Sequence, residues 1–193
     1  VRGQTKGGYA EALYSMPLSG ALLSNSSSRA LMSLASSATG GEPCRLFPSF
    51  WEQDRVGQAF KIIAKGFLST TGTPTFTFAV SLDTTQGSFG TVLAATGAVT
   101  MPSGASGALF DLDADCTLQG VGSSGYLTVG GKLTVGAAGN AATTAASVYA
   151  LGNVSDVAVN TTVDNYVEAW GTFGTASASN FAQLYQLTVI PLN

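Results

Sequence analysis

Three aspartates, Asp111, Asp113 and Asp115, alternate with apolar residues in the run from Ala108 to Leu118 and form the most concentrated group of side chains able to do chemistry. In an extended strand a spacing of two puts successive carboxylates on one face, roughly 7 Å apart. Such a row could feed oxygens to a Ca²⁺ site, or two of its members could act as the acid pair of a glycosidase-like reaction. The plainer reading is a solvated strand face, balanced by Lys61 and Lys65 if the strand carrying those lysines lies alongside. A strand also keeps three carboxylates from converging as the ligands of a calcium-binding loop do. The expectation is therefore a solvated face, with calcium at Asp111, Asp113 and Asp115 as the alternative.

Other chemistry is largely removed by composition. The chain has no histidine, which takes away the usual general base at neutral pH, the Ser-His-Asp and Cys-His systems and most zinc sites. No G-x-x-x-x-G-K-[ST] phosphate loop occurs, and Gly120-Val121-Gly122 sits between strand patterns rather than before a helix. Cys44 and Cys116 are far apart and fit no metal or redox spacing, so two reduced thiols are expected rather than a disulfide. The sequons at Asn25, Asn153 and Asn160 would matter only in a secretory pathway. Trp51, Tyr166 and Trp170 could line a platform on which sugars stack, or could pack at sheet ends or a subunit interface. No catalytic residue and no cofactor is assigned, and the chain is not expected to be an enzyme.

The elements that would carry these residues show period-two alternation from Phe47 onward. Phe60, Ile62, Ala64 and Leu68 share one face, with Lys61 and Lys65 on the other, and Phe76, Phe78, Val80 and Leu82 repeat the pattern. Thr70-Thr71-Gly72-Thr73-Pro74 between them reads as a hairpin turn. Val92–Leu93 and Ala98–Met101 flank a turn at Thr96-Gly97. The alternation is cleanest in Ala108, Phe110, Leu112, Ala114, Cys116 and Leu118, and Leu127, Val129, Leu133 and Val135 continue it. Val148 to Leu151, Val157 to Val159, Tyr166 to Phe173 and Leu184 to Leu192 complete a set of about eight to ten strands. With no long helical pattern, two packed antiparallel sheets are the natural solution: an all-β sandwich over residues 46–193.

Residues 1–45 differ. Ser and Gly are dense, Ser24-Asn25-Ser26-Ser27-Ser28 is of low complexity, and only a short helical stretch between Arg29 and Ala35 suggests regular structure. This segment reads as an irregular N-terminal arm. Its scattered apolar residues, including Tyr9, Leu13, Tyr14, Leu18, Leu22 and Leu31, are too few for a core but enough to anchor on a partner. On that reading, removing residues 1–40 would leave the sandwich folded with little change in melting temperature.

Of 193 residues, 45% are hydrophobic and only 10% charged, against roughly 25% charged in an average soluble protein. A surface of Ser, Thr, Asn, Gly and Ala raises no like-charge barrier to close contact and suits an assembly subunit. Net charge is −3, with eight basic residues and no Lys/Arg run, so phosphate-driven binding to nucleic acid is not expected. No apolar run reaches the roughly 18 residues a membrane span needs. The opening Val1-Arg2-Gly3-Gln4-Thr5-Lys6 lacks the apolar stretch of a signal peptide, which suggests a protein not exported by the general route.

The segments Phe67-Leu68-Ser69-Thr70-Thr71-Gly72-Thr73-Pro74-Thr75-Phe76-Thr77-Phe78, Leu93-Ala94-Ala95-Thr96-Gly97-Ala98, Gly174-Thr175-Ala176-Ser177-Ala178-Ser179-Asn180 and Leu187-Thr188-Val189-Ile190-Pro191-Leu192-Asn193 resemble virion structural proteins of tailed bacteriophages, namely capsid decoration (cement) and head-fibre-like proteins. The resemblance covers roughly residues 46–193. It implies a jelly-roll-like sandwich made in the host cytoplasm and standing as a homotrimer on the capsid exterior, bound to the major capsid protein through the arm. It supplies no catalytic residues. Ser/Thr/Gly-rich strands also occur in tail fibres and baseplates, so a receptor-binding, carbohydrate-recognising domain is the alternative.

Overall fold

The computed structural model describes residues 14–16, 19–33, 44–51, 56–136, 146–152 and 156–192. In chain order the elements are β1 (Tyr14–Ser15), β2 (Leu23–Ser24), β3 (Ala30–Leu31), β4 (Cys44–Leu46), α1 (Pro48–Trp51), β5 (Ala59–Ser69), β6 (Thr75–Asp83) and β7 (Thr91–Ala95). They continue with β8 (Val99–Thr100), β9 (Ala108–Gly120), β10 (Gly125–Val135), β11 (Ser147–Gly152), β12 (Val157–Val159), β13 (Asn165–Phe173) and β14 (Phe181–Pro191). The first sheet runs β1-β14-β5-β9-β10-β11, with β12 also on β10 and β2 also on β14. The second runs β3-β13-β6-β7, with β4 on β13 and β8 on β6. Neighbours pair antiparallel throughout, and the two sheets pack as a sandwich.

Alternation places the core as the sequence suggests. Phe60, Ile62, Ala64 and Leu68 of β5, and Phe110, Leu112, Ala114, Cys116 and Leu118 of β9, are buried on the inner face of the first sheet. Phe76, Phe78, Val80 and Leu82 of β6 meet them from the second. The Phe78 and Phe110 rings join the layers at 5.2 Å between centroids, and Phe76 packs on Phe173 at 4.7 Å. Gly66 sits where an alanine Cβ would lie 2.1 Å from the Gln183 carbonyl oxygen and 2.5 Å from Phe110 Cζ. The β5–β14 register shifts at that level, between Leu184 and Gln186.

One connection differs from the sequence reading. The segment 70–74 is not a hairpin: it carries the chain from β5 in the first sheet to β6 in the second. Thr70 fixes this crossing, its N–H donating to the Ala105 carbonyl at 2.8 Å and its hydroxyl to the Pro102 carbonyl at 2.6 Å. Thr71 N–H donates to Asn180 Oδ1 at 2.8 Å, tying the same corner to the loop before β14. β7 and β8 flank Thr96-Gly97 as the sequence suggests, and both lie along the same edge of β6. Thr96 takes a strand-like place between them, exchanging backbone N–H and side-chain bonds with Phe78, while Gly97 turns the chain at φ 67°.

The composition-based boundary at residue 45 does not coincide with the pairing. Of the segment read as an arm, Tyr14–Ser15 and Leu23–Ser24 pair with β14, and Ala30–Leu31 and Cys44–Val167 ladders extend β13. Met16, Leu23 and Met32 are buried in the core, Met32 completely. Within the stretch from Arg29 read as helical, Ala30–Leu31 form strand β3, whose backbone pairs along the edge of β13. Deleting residues 1–40 would therefore strip both sheets of edge strands and core side chains, which corrects the expectation of little thermal cost.

Candidate functional site

On the outer face of the first sheet, β5 and β9 pair so that Lys61 lies opposite Asp115 and Lys65 opposite Asp111. Lys65 Nζ reaches Asp111 Oδ2 at 2.9 Å, and Lys61 Nζ lies 3.5 Å from Asp115 and 4.0 Å from Asp113. The hydrogen bond to Asp111 holds the Lys65 ammonium above its ordinary pKa. Lys132 of β10 stands beside Asp113 on the other flank. Each carboxylate of the calcium candidate thus already faces an ammonium group. Among the described residues no group of three or more His, Cys, Asp or Glu side chains is placed to hold a metal. The row is the lysine-balanced strand face, with Asp113 and Asp115 sharing the Lys61 ammonium and Asp111 paired with Lys65.

The three aromatic residues of the sugar-platform reading are separated by the fold. Trp51 ends α1, is buried, and packs edge-on against Phe50 and Phe60 at 4.8 and 5.8 Å. Trp170 lies on the outer face of the second sheet but is covered: the Arg29 guanidinium stacks 4.2 Å from its ring and Phe89 meets it edge-on at 6.3 Å. Tyr166 alone stays half-exposed, at the strand end where Arg45 pairs with Asp164 and stacks on Phe47. No exposed three-ring platform forms.

The partner-binding candidates also scatter. Tyr9, Leu13 and Leu18 lie outside the described residues. Tyr14 is half-buried against the core and so is used within the sandwich, while Leu31, half-buried in β3, pairs with Trp170 on the outer face of the second sheet. Leu22 remains available, 54% exposed. Cys44 and Cys116 are free and buried, and burial pushes both thiols far above their ordinary pKa.

The most unusual environment surrounds a residue that alternation passed over. Glu168, in the middle of β13, is 1% exposed and points to the outer face of the second sheet, beside Trp170. The Ser33 hydroxyl donates to its Oε2, and the Gly87 N–H donates to its Oε1 at 3.1 Å. Ser33 Oγ accepts in turn from the Ala169 N–H at 3.1 Å. Burial pushes the Glu168 carboxyl above the ordinary range; the bonds from Ser33 and Gly87 oppose this, and the Asp83 charge adds to it. Asp83 itself ends β6 and organises the following loop. Burial raises its carboxyl, but bonds from Ser88 and from the N–H groups of Thr85, Gly90 and Thr84 outweigh that and hold it below its ordinary value. One signal in the sequence does mark the site: Glu168 is the only charged residue after Asp164.

These groups bind segments to one another. Comparison with protein-family models, with curated proteins and with solved structures finds no match.

Proposed function

We propose that the chain is a structural virion protein that decorates and stabilises a tailed-bacteriophage capsid by binding the major capsid protein. The observation that carries this reading is the exposed flank of the first sheet. From Leu133 to Ser155 the chain has no charged residue, and β11 within that stretch exposes Val148 at 63%. A strand at a sheet edge is ordinarily guarded by charges or proline; a six-residue, uncharged β11 suits a surface that a neighbour covers. The resemblance supplies the rest of the reading: a jelly-roll-like sandwich, a homotrimer and a place on the capsid exterior.

A tail-fibre or baseplate domain that recognises carbohydrate is the competing role, and it has lost support with the burial of Trp51 and Trp170. Copy number separates the two. Quantitative mass spectrometry of purified particles is expected to find the chain in numbers comparable to the major capsid protein. A handful of copies per particle would instead assign it to the tail.

A further inference from the structure

β11 ends the first sheet: β10 pairs along one of its sides, and among the described residues no strand pairs along the other. In an antiparallel ladder every second residue turns its N–H and C=O away from its neighbour, so half of this six-residue strand offers backbone groups outward. We propose that this edge pairs antiparallel with β11 of a second copy of the chain, about a twofold axis at Ala150, joining two first sheets into one continuous sheet. The proposal rests on the reading of the β11 flank as a covered surface and names what covers it. Such a contact is isologous and closes at two copies, so it is separate from a threefold contact and would tie one trimer to the next.

The side chains favour this register. Val148, Ala150 and Gly152 share the outer face and are all exposed, Val148 at 63%. With Ala150 opposite its own copy, Val148 of each chain stands opposite Gly152 of the other. Gly152 and its β10 partner Gly130 leave a hollow on that face, since an alanine Cβ at either position would meet nothing within 4 Å. Two valines thus fill two hollows, while on the inner face Tyr149 meets Leu151, apolar against apolar. Centring the axis on Tyr149 instead would oppose two rings whose hydroxyls are already donated to the Thr100 carbonyl at 3.2 Å, and would leave Gly152 uncovered. Charge points to a second copy as the occupant. No charged residue lies between Leu133 and Ser155, so self-pairing opposes no like charges, the device that ordinarily keeps the edges of identical chains apart. An edge shaped for a charged partner would carry a complementary charge, and this one carries none. The nearest, Lys132, lies opposite Ala150 on β10, with Asp113 of β9 beyond it. Three strand spacings of about 4.8 Å, roughly 14 Å in all, would separate Lys132 from its copy, which exceeds the screening length of about 8–10 Å.

A strand pair of this size buries little beside the roughly 1,200 Å² of a stable complex, so pairing is expected to be reversible in dilute solution and to grow with concentration. Single cysteines read the register directly. Antiparallel partners stand about 4.5–5.5 Å apart at Cα, within disulfide reach, and Cys44 and Cys116 are buried and do not compete. Ala150→Cys, oxidised at high protein concentration, is expected to give a disulfide-linked pair. Val148→Cys alone is not, because four residues of strand, about 14 Å, separate it from its own copy; mixing it with Gly152→Cys should restore the linked pair. In the unaltered chain, hydrogen exchange of the β11 amides should slow as concentration rises while that of β5 and β9 stays constant, a readout that does not depend on any variant folding. Linked pairs no more abundant for Ala150→Cys than for Val148→Cys, or β11 exchange that ignores concentration, would overturn the pairing. Those outcomes leave the capsid reading intact if Val148→Lys still prevents attachment, because the major capsid protein would then be what covers β11. Linked pairs from a chain found in only a few copies per particle would instead sink the capsid reading and leave the pairing standing.

Discussion

Phe78 and Phe110 come from opposite sheets and touch at 5.2 Å between ring centroids, so each fills the space the other defines. Truncating either to alanine removes a fully enclosed ring, and a change of that kind costs about 3–5 kcal/mol. Because the two share one contact, the double variant should lose measurably less than the sum of the singles. Urea denaturation of the three variants checks both statements; a loss below about 1 kcal/mol at each single site would contradict the assignment of these rings to the core. The cysteines give a second residue-scale expectation, this one in pH. Both thiols are pushed up by burial from an ordinary value of 9.0, so the unfolded chain releases their protons where the folded protein cannot. Stability contributed by the neutral thiols is therefore complete below the ordinary value and lost as pH climbs above it, by up to about 1.4 kcal/mol per pH unit per thiol. Denaturation curves near pH 8 and pH 10 should diverge less in a Cys44→Ala, Cys116→Ala double variant than in the unaltered protein. Equal divergence would show that other groups set the alkaline limit.

At the scale of elements, the two- and three-residue strands matter more than their length suggests. β1 and β2 cover the edge of β14, β3 and β4 cover the edge of β13, and the segment around them buries Met16, Leu23 and Met32. Burying such side chains is worth about 1.5–3 kcal/mol each relative to exposure, and uncovering two long edges invites pairing between molecules. A chain beginning at residue 34 is accordingly expected to melt several degrees lower and to scatter light on concentration. An unchanged melting temperature would restore the separable arm that composition alone suggests. These strands were not legible in the sequence because two or three residues carry no period, and Ser-rich composition masked their pairing. β9, by contrast, was legible residue by residue, since one face meets the core and the other meets water. β6 and β13 were only half legible. Ala79, Ser81, Glu168 and Trp170 are buried on their outer face because Arg29, Ser33 and the 84–90 loop roof it, and alternation reports only one buried side. The crossing at residues 70–74 was misread for a related reason: Thr-Gly-Thr-Pro announces a turn, but which sheet the next strand joins is decided by Thr70 and Asn180 through partners far along the chain. The balanced aspartate row was anticipated because Lys61 and Lys65 share its two-residue grammar.

For the molecule as a whole, the distribution of charge matters more than its total. The first sheet concentrates its ion pairs on β5 and β9, where Lys61 and Lys65 meet Asp111, Asp113 and Asp115, and leaves the β11 flank without any. If that flank is where the capsid lattice or a second copy sits, attachment rests on apolar and backbone contacts. Screening, which acts within about 8–10 Å at physiological salt, then has little to weaken. Attachment to particles stripped of this protein should persist when salt is raised severalfold, whereas an interface built on the aspartate–lysine rows would release. The same argument predicts the effect of one added charge. Val148 is 63% exposed on β11, so Val148→Lys should change folding stability by no more than about 0.5 kcal/mol, as surface substitutions generally do. Against a covering partner, however, the lysine would have to be buried without a counter-charge, which costs several kcal/mol. Val148→Lys is therefore expected to fold and melt like the unaltered chain while failing to reattach, and light scattering should report a smaller species if the flank also joins copies of the chain. Reattachment at full occupancy, with the oligomeric state unchanged, would remove the β11 flank from the interface and move the search to the exposed Leu22 and Phe47 side chains.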